Sequence, residues 1–185
     1  MKRISIISLL LLFVSGCTGV PAGVTTVDGF DLQRYLGRWY EIARLDHRFE
    51  RGMSHVTANY SLLPDGGVRV VNRGFDTAKR DWEEAEGKAY PVGEPTKGQL
   101  KVSFFGPFYG GYNIIELDSK GYSYSLVSGP NLSYLWILSR TPELPQDVLD
   151  QLLQKAQALG FDTDSLIYVD QTNPRVEKSK AGNSL

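Results

Sequence analysis

The chain has 185 residues, with 20 Lys and Arg against 21 Asp and Glu, a formal net charge of −1 at pH 7. That balance excludes the basic excess of a nucleic-acid-binding surface. A single cysteine excludes an internal disulfide, so the fold must rest on core packing, and the length suits one domain with a sizeable core.

In chain order, Met1-Lys2-Arg3 is a short basic start and Ile4 to Val14 is an apolar run too short to cross a bilayer. Ser15-Gly16-Cys17 follows at once, which predicts a secretory signal peptide over residues 1–16. Val14-Ser15-Gly16-Cys17 resembles the lipobox of bacterial lipoproteins, where the cysteine becomes the acylated N-terminal residue after cleavage. The resemblance implies lipidation of Cys17 by fatty acyl chains such as palmitate, each buried methylene contributing about 0.8 kcal/mol to anchoring. Thr18 rather than Asp follows Cys17, which in that class implies the outer membrane, here taken on its periplasmic face. Losing Lys2 and Arg3 with the leader moves the formal charge from −1 to −3. Residues 17–27 then read as lipidated N-terminus and tether, 28–172 as the folded domain, and 173–185 as a polar, disordered tail.

Asp31 to Leu36 predicts one helical turn, and short strands with turn signals between them follow. The strands are expected over Gly37–Arg44, Ser54–Leu63, Val68–Phe75, Trp82–Tyr90, Gln99–Phe105, Gly111–Asp118, Tyr122–Ser128 and Tyr134–Arg140. Pro64-Asp65-Gly66-Gly67 and Ser119-Lys120-Gly121 mark hairpin turns. Spacing alone suits an up-and-down barrel or a two-sheet sandwich. After the strands, Pro145 fits a first helical position, Asp147 the first turn and Gly160 the stop. Val148, Leu149, Leu152, Leu153, Ala156 and Leu159 form one apolar stripe, so this helix should lie against the outer wall. Leu166–Val169 reads as a short ninth strand.

Gly37-Arg38-Trp39-Tyr40 resembles the G-x-W motif of the lipocalin family, and Tyr134 to Arg140 resembles its final barrel strand with its arginine. The lipoprotein lipocalins of bacteria are more similar still, on Gly37 to Glu41, Arg48-Phe49-Glu50-Arg51-Gly52 and Lys101 to Tyr112. The resemblance implies an all-β fold: an eight-stranded up-and-down antiparallel barrel, one C-terminal helix packed outside and a short ninth strand. It also implies that Trp39 closes one end with Arg140 over its ring face, a contact of about 0.5–2 kcal/mol. Gly37, Trp39 and Arg140 are therefore expected to be structural.

Alternation in Leu100-Lys101-Val102-Ser103-Phe104 points Leu100, Val102 and Phe104 inward. Alignment to the family adds Val56, Ala58, Val70, Asn72, Tyr112, Ile114, Val127, Tyr134 and Trp136 as lining, with Leu135 and Ile137 facing out. Glu41 and Glu116 also fall on inward parity, and no partner for them is evident. A barrel of this size is either filled or holds one small ligand.

Neither His47 nor His55 sits in a metal or catalytic pattern, Asp162-Thr163-Asp164 lacks the rest of a calcium loop, and no cofactor or metal is expected. The expected function is non-enzymatic: a membrane-anchored carrier of a lipid-like ligand, a fatty acid or lysophospholipid. A filled scaffold protein and a lipocalin-type enzyme acting on bound lipid are the alternatives. Phe104 to Tyr112 is rich in aromatics, and Phe108 and Tyr109 are expected to contribute to a symmetric homodimer or a membrane-proximal contact.

Overall fold

The computed structural model describes residues 18–172. The leader, Cys17 and the tail from 173 onward, with the expectations attached to them, lie outside that range. Strands β1 (Gly37–Arg44), β2 (Met53–Leu62), β3 (Val68–Asp76), β4 (Asp81–Pro91), β5 (Gln99–Ser103), β6 (Gly110–Leu117), β7 (Tyr124–Ser128) and β8 (Leu135–Ser139) pair antiparallel in sequence order. β1 pairs with both β2 and β8, so the sheet closes into an up-and-down barrel rather than a sandwich. Closure removes the sheet edges. Strand β9 (Ile167–Tyr168) pairs with Ala43 and Arg44, where β1 has left β2.

Two helices complete the fold. Helix α1 (Leu32–Tyr35) is capped by Asp31, whose carboxylate accepts from the Gln33 amide, and it lies across the end where β1 begins. Helix α2 (Gln146–Ala158) packs on the outer wall. Pro145 is the residue before α2, with an extended ψ of 138°, and not its first helical residue. Gly160, at φ +87°, ends the helix in a conformation that glycine adopts without strain.

Inside the barrel, Trp39, Tyr35, Tyr60, Val68, Val70, Leu100, Ile114, Val127 and Leu138 form one buried cluster. Between wall and α2 lies a second, with Ala43, Ile115, Leu126, Leu135, Ile137, Leu152 and Ala156. Leu135 and Ile137 thus face outward under the helix, as alternation requires.

Two β-bulges set which side chains point where. In β1 the register shifts between Glu41 and Ala43, and in β6 between Ile114 and Glu116. Each extra residue puts consecutive side chains on the outer face and reverses the alternation beyond it. Ile42 and Ala43 both reach the outer apolar layer, and Arg44 turns to the inner face. Ile115 and Glu116 both face out, so the inward expectation for Glu116 is corrected: its carboxylate pairs with Lys155 of α2.

The strands define two ends. The start of β1, α1 and the β6–β7 turn mark the closed end. The β1–β2, β3–β4, β5–β6 and β7–β8 connections lie at the other. Residues 18–30 run the height of the barrel outside β6. Gly19 O lies against Gly111 near the open end, the Val27 amide donates to Ile114 O at 2.9 Å in mid-strand, and the Phe30 amide donates to Thr96 O at 2.8 Å in the β4–β5 connection.

Candidate functional site

The closed end is sealed by Trp39 and Arg140. The Arg140 guanidinium carbon sits 3.9 Å from the centroid of the Trp39 ring. Its nitrogens donate to the carbonyls of Arg34, Arg38 and Tyr122 at 2.8, 2.9 and 3.2 Å. One side chain therefore caps α1, stacks on the ring and ties β8 to the floor. Trp39 Nε1 donates to Tyr35 O at 2.8 Å. Gly37 has a φ of +92°, and a Cβ there would lie 3.4 Å from Arg140 Nη1, so glycine suits both backbone and packing.

Above the tryptophan, phenols form a layer. The Tyr35 and Tyr112 hydroxyls are 2.8 Å apart, those of Tyr60 and Tyr112 are 3.1 Å apart, and Tyr35 donates to Ser125 Oγ at 3.2 Å. Burial pushes the Tyr35 hydroxyl up to about 12 and raises Tyr60 and Tyr112 as well, so all stay neutral at physiological pH.

The residues expected to line the interior separate by depth. Val70, Leu100, Ile114 and Val127 are fully packed core. Ala58, Asn72, Val102, Phe104, Tyr112 and Trp136 point inward yet are only partly buried. Val56 is buried beside Gly74. Tyr134 stands at the rim, its ring 6.1 Å from that of Trp136. Small residues on β4 face the interior. Ala85 lies opposite Asn72, and Gly87 opposite Val70, where a Cβ would meet the Phe104 ring at 2.8 Å. Asn72 Oδ1 is buried with no protein partner, against the rule that buried polar groups are bonded.

The β1–β2 loop, residues 45–52, folds across the open end and is held by a buried polar cluster that the sequence reading missed. Arg44, only 1% exposed, donates from Nη1 to Glu41 Oε1 at 2.7 Å and from Nη2 to Glu50 O at 2.6 Å. Glu50 Oε2 lies 2.9 Å from His47 Nε2 and accepts from Trp136 Nε1 at 3.1 Å. Burial pushes the Glu41 carboxyl well above the usual range, the charge of Glu50 pushes it further, and Arg44 offsets only part. Burial also opposes ionisation of Glu50, but His47, Trp136 and Arg44 outweigh it and hold its pKa below the ordinary value. Burial and the neighbouring Glu50 thus favour the neutral form of Glu41, while His47, Trp136 and Arg44 favour the ionised form of Glu50. The His47 ring stacks on Phe49 at 4.1 Å and lies 5.1 Å from Trp136.

His55, at φ +54° in a register shift of β2, bonds Ser54 Oγ at 2.8 Å and the carbonyl of Thr172. It holds the C-terminal segment, where Gln171 Nε2 donates to Glu41 O and Val56 O at 2.8 and 2.9 Å. Both histidines are thus polar-core residues, and among the described residues no group of His, Cys, Asp and Glu has metal-binding geometry.

The lipocalin-like domain family matches residues 30–171. The chain belongs to the lipocalin family. This lipocalin is 55% identical over 163 residues to the outer membrane lipoprotein Blc of Vibrio cholerae, an alignment covering 88% of this chain and 95% of that protein. It is 56% identical over 151 residues to the protein of the same name from Escherichia coli, covering 82% and 85%. Temperature-induced lipocalin-1 of Arabidopsis thaliana is 35% identical over 164 residues, covering 84% and 87%. Among solved structures, insecticyanin of the tobacco hornworm Manduca sexta superposes with a TM-score of 0.65 at 24% identity, covering 83% of this chain and 87% of that one. That likeness bears on the fold alone.

Proposed function

We propose that this lipocalin binds a single-chain amphipathic lipid, a fatty acid or lysophospholipid, in the upper half of its barrel and carries it in the cell envelope. The observation that carries the reading is the set of inward side chains that keep accessible surface: Ala58, Val102, Phe104, Tyr112 and Trp136, with Asn72 among them. Their aliphatic and aromatic surface suits an acyl chain. The unpartnered Asn72 Oδ1 suits a donor on the ligand, such as a glycerol hydroxyl. The filled floor below Tyr112 sets the depth a chain can reach.

The reading is non-catalytic. Glu41, Glu50 and His47 are acids and a base at the entrance, but Glu41 is engaged by Arg44, Glu50 by Trp136 and His47 lies against Glu50. They hold the entrance loop in place. A scaffold with a filled barrel fits less well, because the inward Ala58 and Ala85 are small and the inward side chains around them keep accessible surface.

Acylation of Cys17 and an outer-membrane location complete the proposal. The lipobox-like residues support it, as do the names of the Vibrio cholerae and Escherichia coli relatives. Native mass spectrometry of the protein, released gently from cell envelopes, tests the function. The expected spectrum carries a bound mass that tandem fragmentation assigns to a single-chain lipid. A spectrum of bare protein from every envelope preparation counts against it.

A further inference from the structure

Among the described residues the three most exposed large apolar side chains, all phenylalanines, gather at one end of the barrel, while Tyr168, Leu62 and Ile167 are exposed on strands β9 and β2. Phe49 is 59% exposed in the β1–β2 loop, Phe105 and Phe108 are 81% and 75% exposed in the β5–β6 loop, and Leu132 is 37% exposed in the β7–β8 loop. All these loops rim the open end. Tyr109 does not share the exposure, since its ring lies against Tyr90 under the Lys101 ammonium. Fully displayed phenyl rings grouped in this way mark a contact surface. Arg48 adds an exposed cation beside Phe49.

The N-terminal segment arrives at the same end. Gly111, second residue of β6, lies directly after the loop that bears Phe108, and a Cβ on it would fall 2.9 Å from Gly19 O and 3.3 Å from the Thr18 carbonyl carbon. Asn113 Nδ2 donates to Gly19 O at 3.1 Å and to Gly129 O, at the start of the Leu132 loop, at 2.9 Å. Position 17 is one peptide unit beyond Thr18, about 3.8 Å between Cα atoms. The packing of residues 18–24 on the wall therefore brings the chain to the rim end directly after the cysteine whose acylation is proposed above.

We infer that the open end of the barrel docks on the lipid surface, with Phe105 and Phe108 inserted in the interfacial region beside the acyl anchor and Arg48 facing anionic headgroups. The entrance to the barrel then opens onto the bilayer, and a lipid passes between the two without crossing bulk water. The docking rests on the rim and the anchor. The transfer rests in addition on the carrier reading. An aromatic rim held at the membrane by a tether of this length meets lipid at high effective concentration.

The test uses the full lipidated protein in vesicles of phosphatidylethanolamine and phosphatidylglycerol. Acylation consumes the only native cysteine, so an introduced one is the sole free thiol. A nitroxide is placed through Phe108→Cys at the rim or through Lys120→Cys at the closed end. Dissolved oxygen is expected to relax the rim label more strongly, and a water-soluble nickel chelate the closed-end label. Two labels equally open to the chelate overturn the docking, and a closed-end label in lipid overturns the orientation. Spin–spin broadening at the rim that vanishes on dilution with unlabelled protein overturns it in favour of a second copy of the chain. In a second arm, Phe105→Ser with Phe108→Ser is introduced into the non-acylated Cys17→Ser protein. Partition onto the same vesicles should fall about tenfold or more, or about 1.4 kcal/mol, while fatty-acid binding in vesicle-free solution stays unchanged. Unchanged partition refutes the docking and leaves the carrier reading intact. Absence of vesicle-free binding in the parent refutes the carrier reading and leaves the label depths to decide the docking.

Discussion

Glu41 and Arg44 stand three residues apart on one strand and still meet inside the barrel at 2.7 Å. Strict alternation would send them to opposite faces. The bulge between Glu41 and Ala43 inserts one outward residue, and Arg44 arrives on the inner face with its charge. Because Arg44 then bonds Glu50 O and Met53 O, that one insertion decides where the entrance loop rests.

Arg44→Met should therefore be costly. It leaves the Glu50 carboxylate buried without its balancing cation and frees the loop carbonyls. Removing one partner of a buried pair costs about 3–5 kcal/mol. The loss is read from urea unfolding midpoints. A combined Arg44→Met, Glu50→Gln variant, which removes the orphaned charge as well, should recover part of it, and a single-variant loss near zero would show that the cluster holds nothing.

The cluster also gives a pH signature. Glu50 has a lowered pKa in the folded chain, so its stabilising charge is present above the unfolded value of about 4.3 and is lost as pH falls through the folded pKa. Glu41 has a raised pKa, so its contribution is complete below about 4.3 and is lost as pH rises through the folded value. Glu41→Gln removes only the second effect. Relative to the parent, the variant should gain thermal stability steadily from acid to alkaline pH. A difference between the two proteins that is flat with pH contradicts the raised Glu41.

At the closed end, Arg140→Ala removes the cation over Trp39 and donors to three carbonyls. A loss of about 2–4 kcal/mol is expected, less for Arg140→Lys, which keeps a charge but not the fork. Denaturant unfolding followed by tryptophan fluorescence measures it. Equal stability of Arg140→Ala and the parent would show that the floor holds without its cover.

If the proposed acylation of Cys17 is the attachment, Cys17→Ser should leave the protein either unprocessed or in the soluble periplasmic fraction. Envelope fractionation with mass determination of the N-terminus reads this directly. A variant still cleaved after residue 16 and retained in the outer membrane would contradict the anchor.

The strand order, the closure and the wall-packed helix were legible because each rests on a local pattern: turn residues at Pro64 to Gly67, alternation in Leu100 to Phe104, and the Val148 to Leu159 stripe. Trp39 and Arg140 came from a motif whose spacing spans the barrel. The bulges were not legible. Nothing in Glu41-Ile42-Ala43-Arg44 or Ile114-Ile115-Glu116 tells a continuous strand from one with an extra residue, and a one-residue slip reverses each side chain beyond it. That is why Glu116 was expected inside and Arg44 was not. Ala85 and Gly87 were missed for another reason. Small residues between charged ones, in Glu83 to Lys88, read as solvent-facing, while their inward direction follows only from pairing with Asn72 and Val70.

The central claim is that the upper barrel holds an acyl chain. The most direct test is titration of the Cys17→Ser protein with an environment-sensitive fatty-acid probe, followed by displacement with lysophospholipid and repeated with Ala58→Trp, which fills the space beside Asn72. Saturable binding in the micromolar range, competed by lysophospholipid and abolished by the filled variant while the fold persists, is the predicted result. No saturable binding, or binding that Ala58→Trp leaves unchanged, would contradict it.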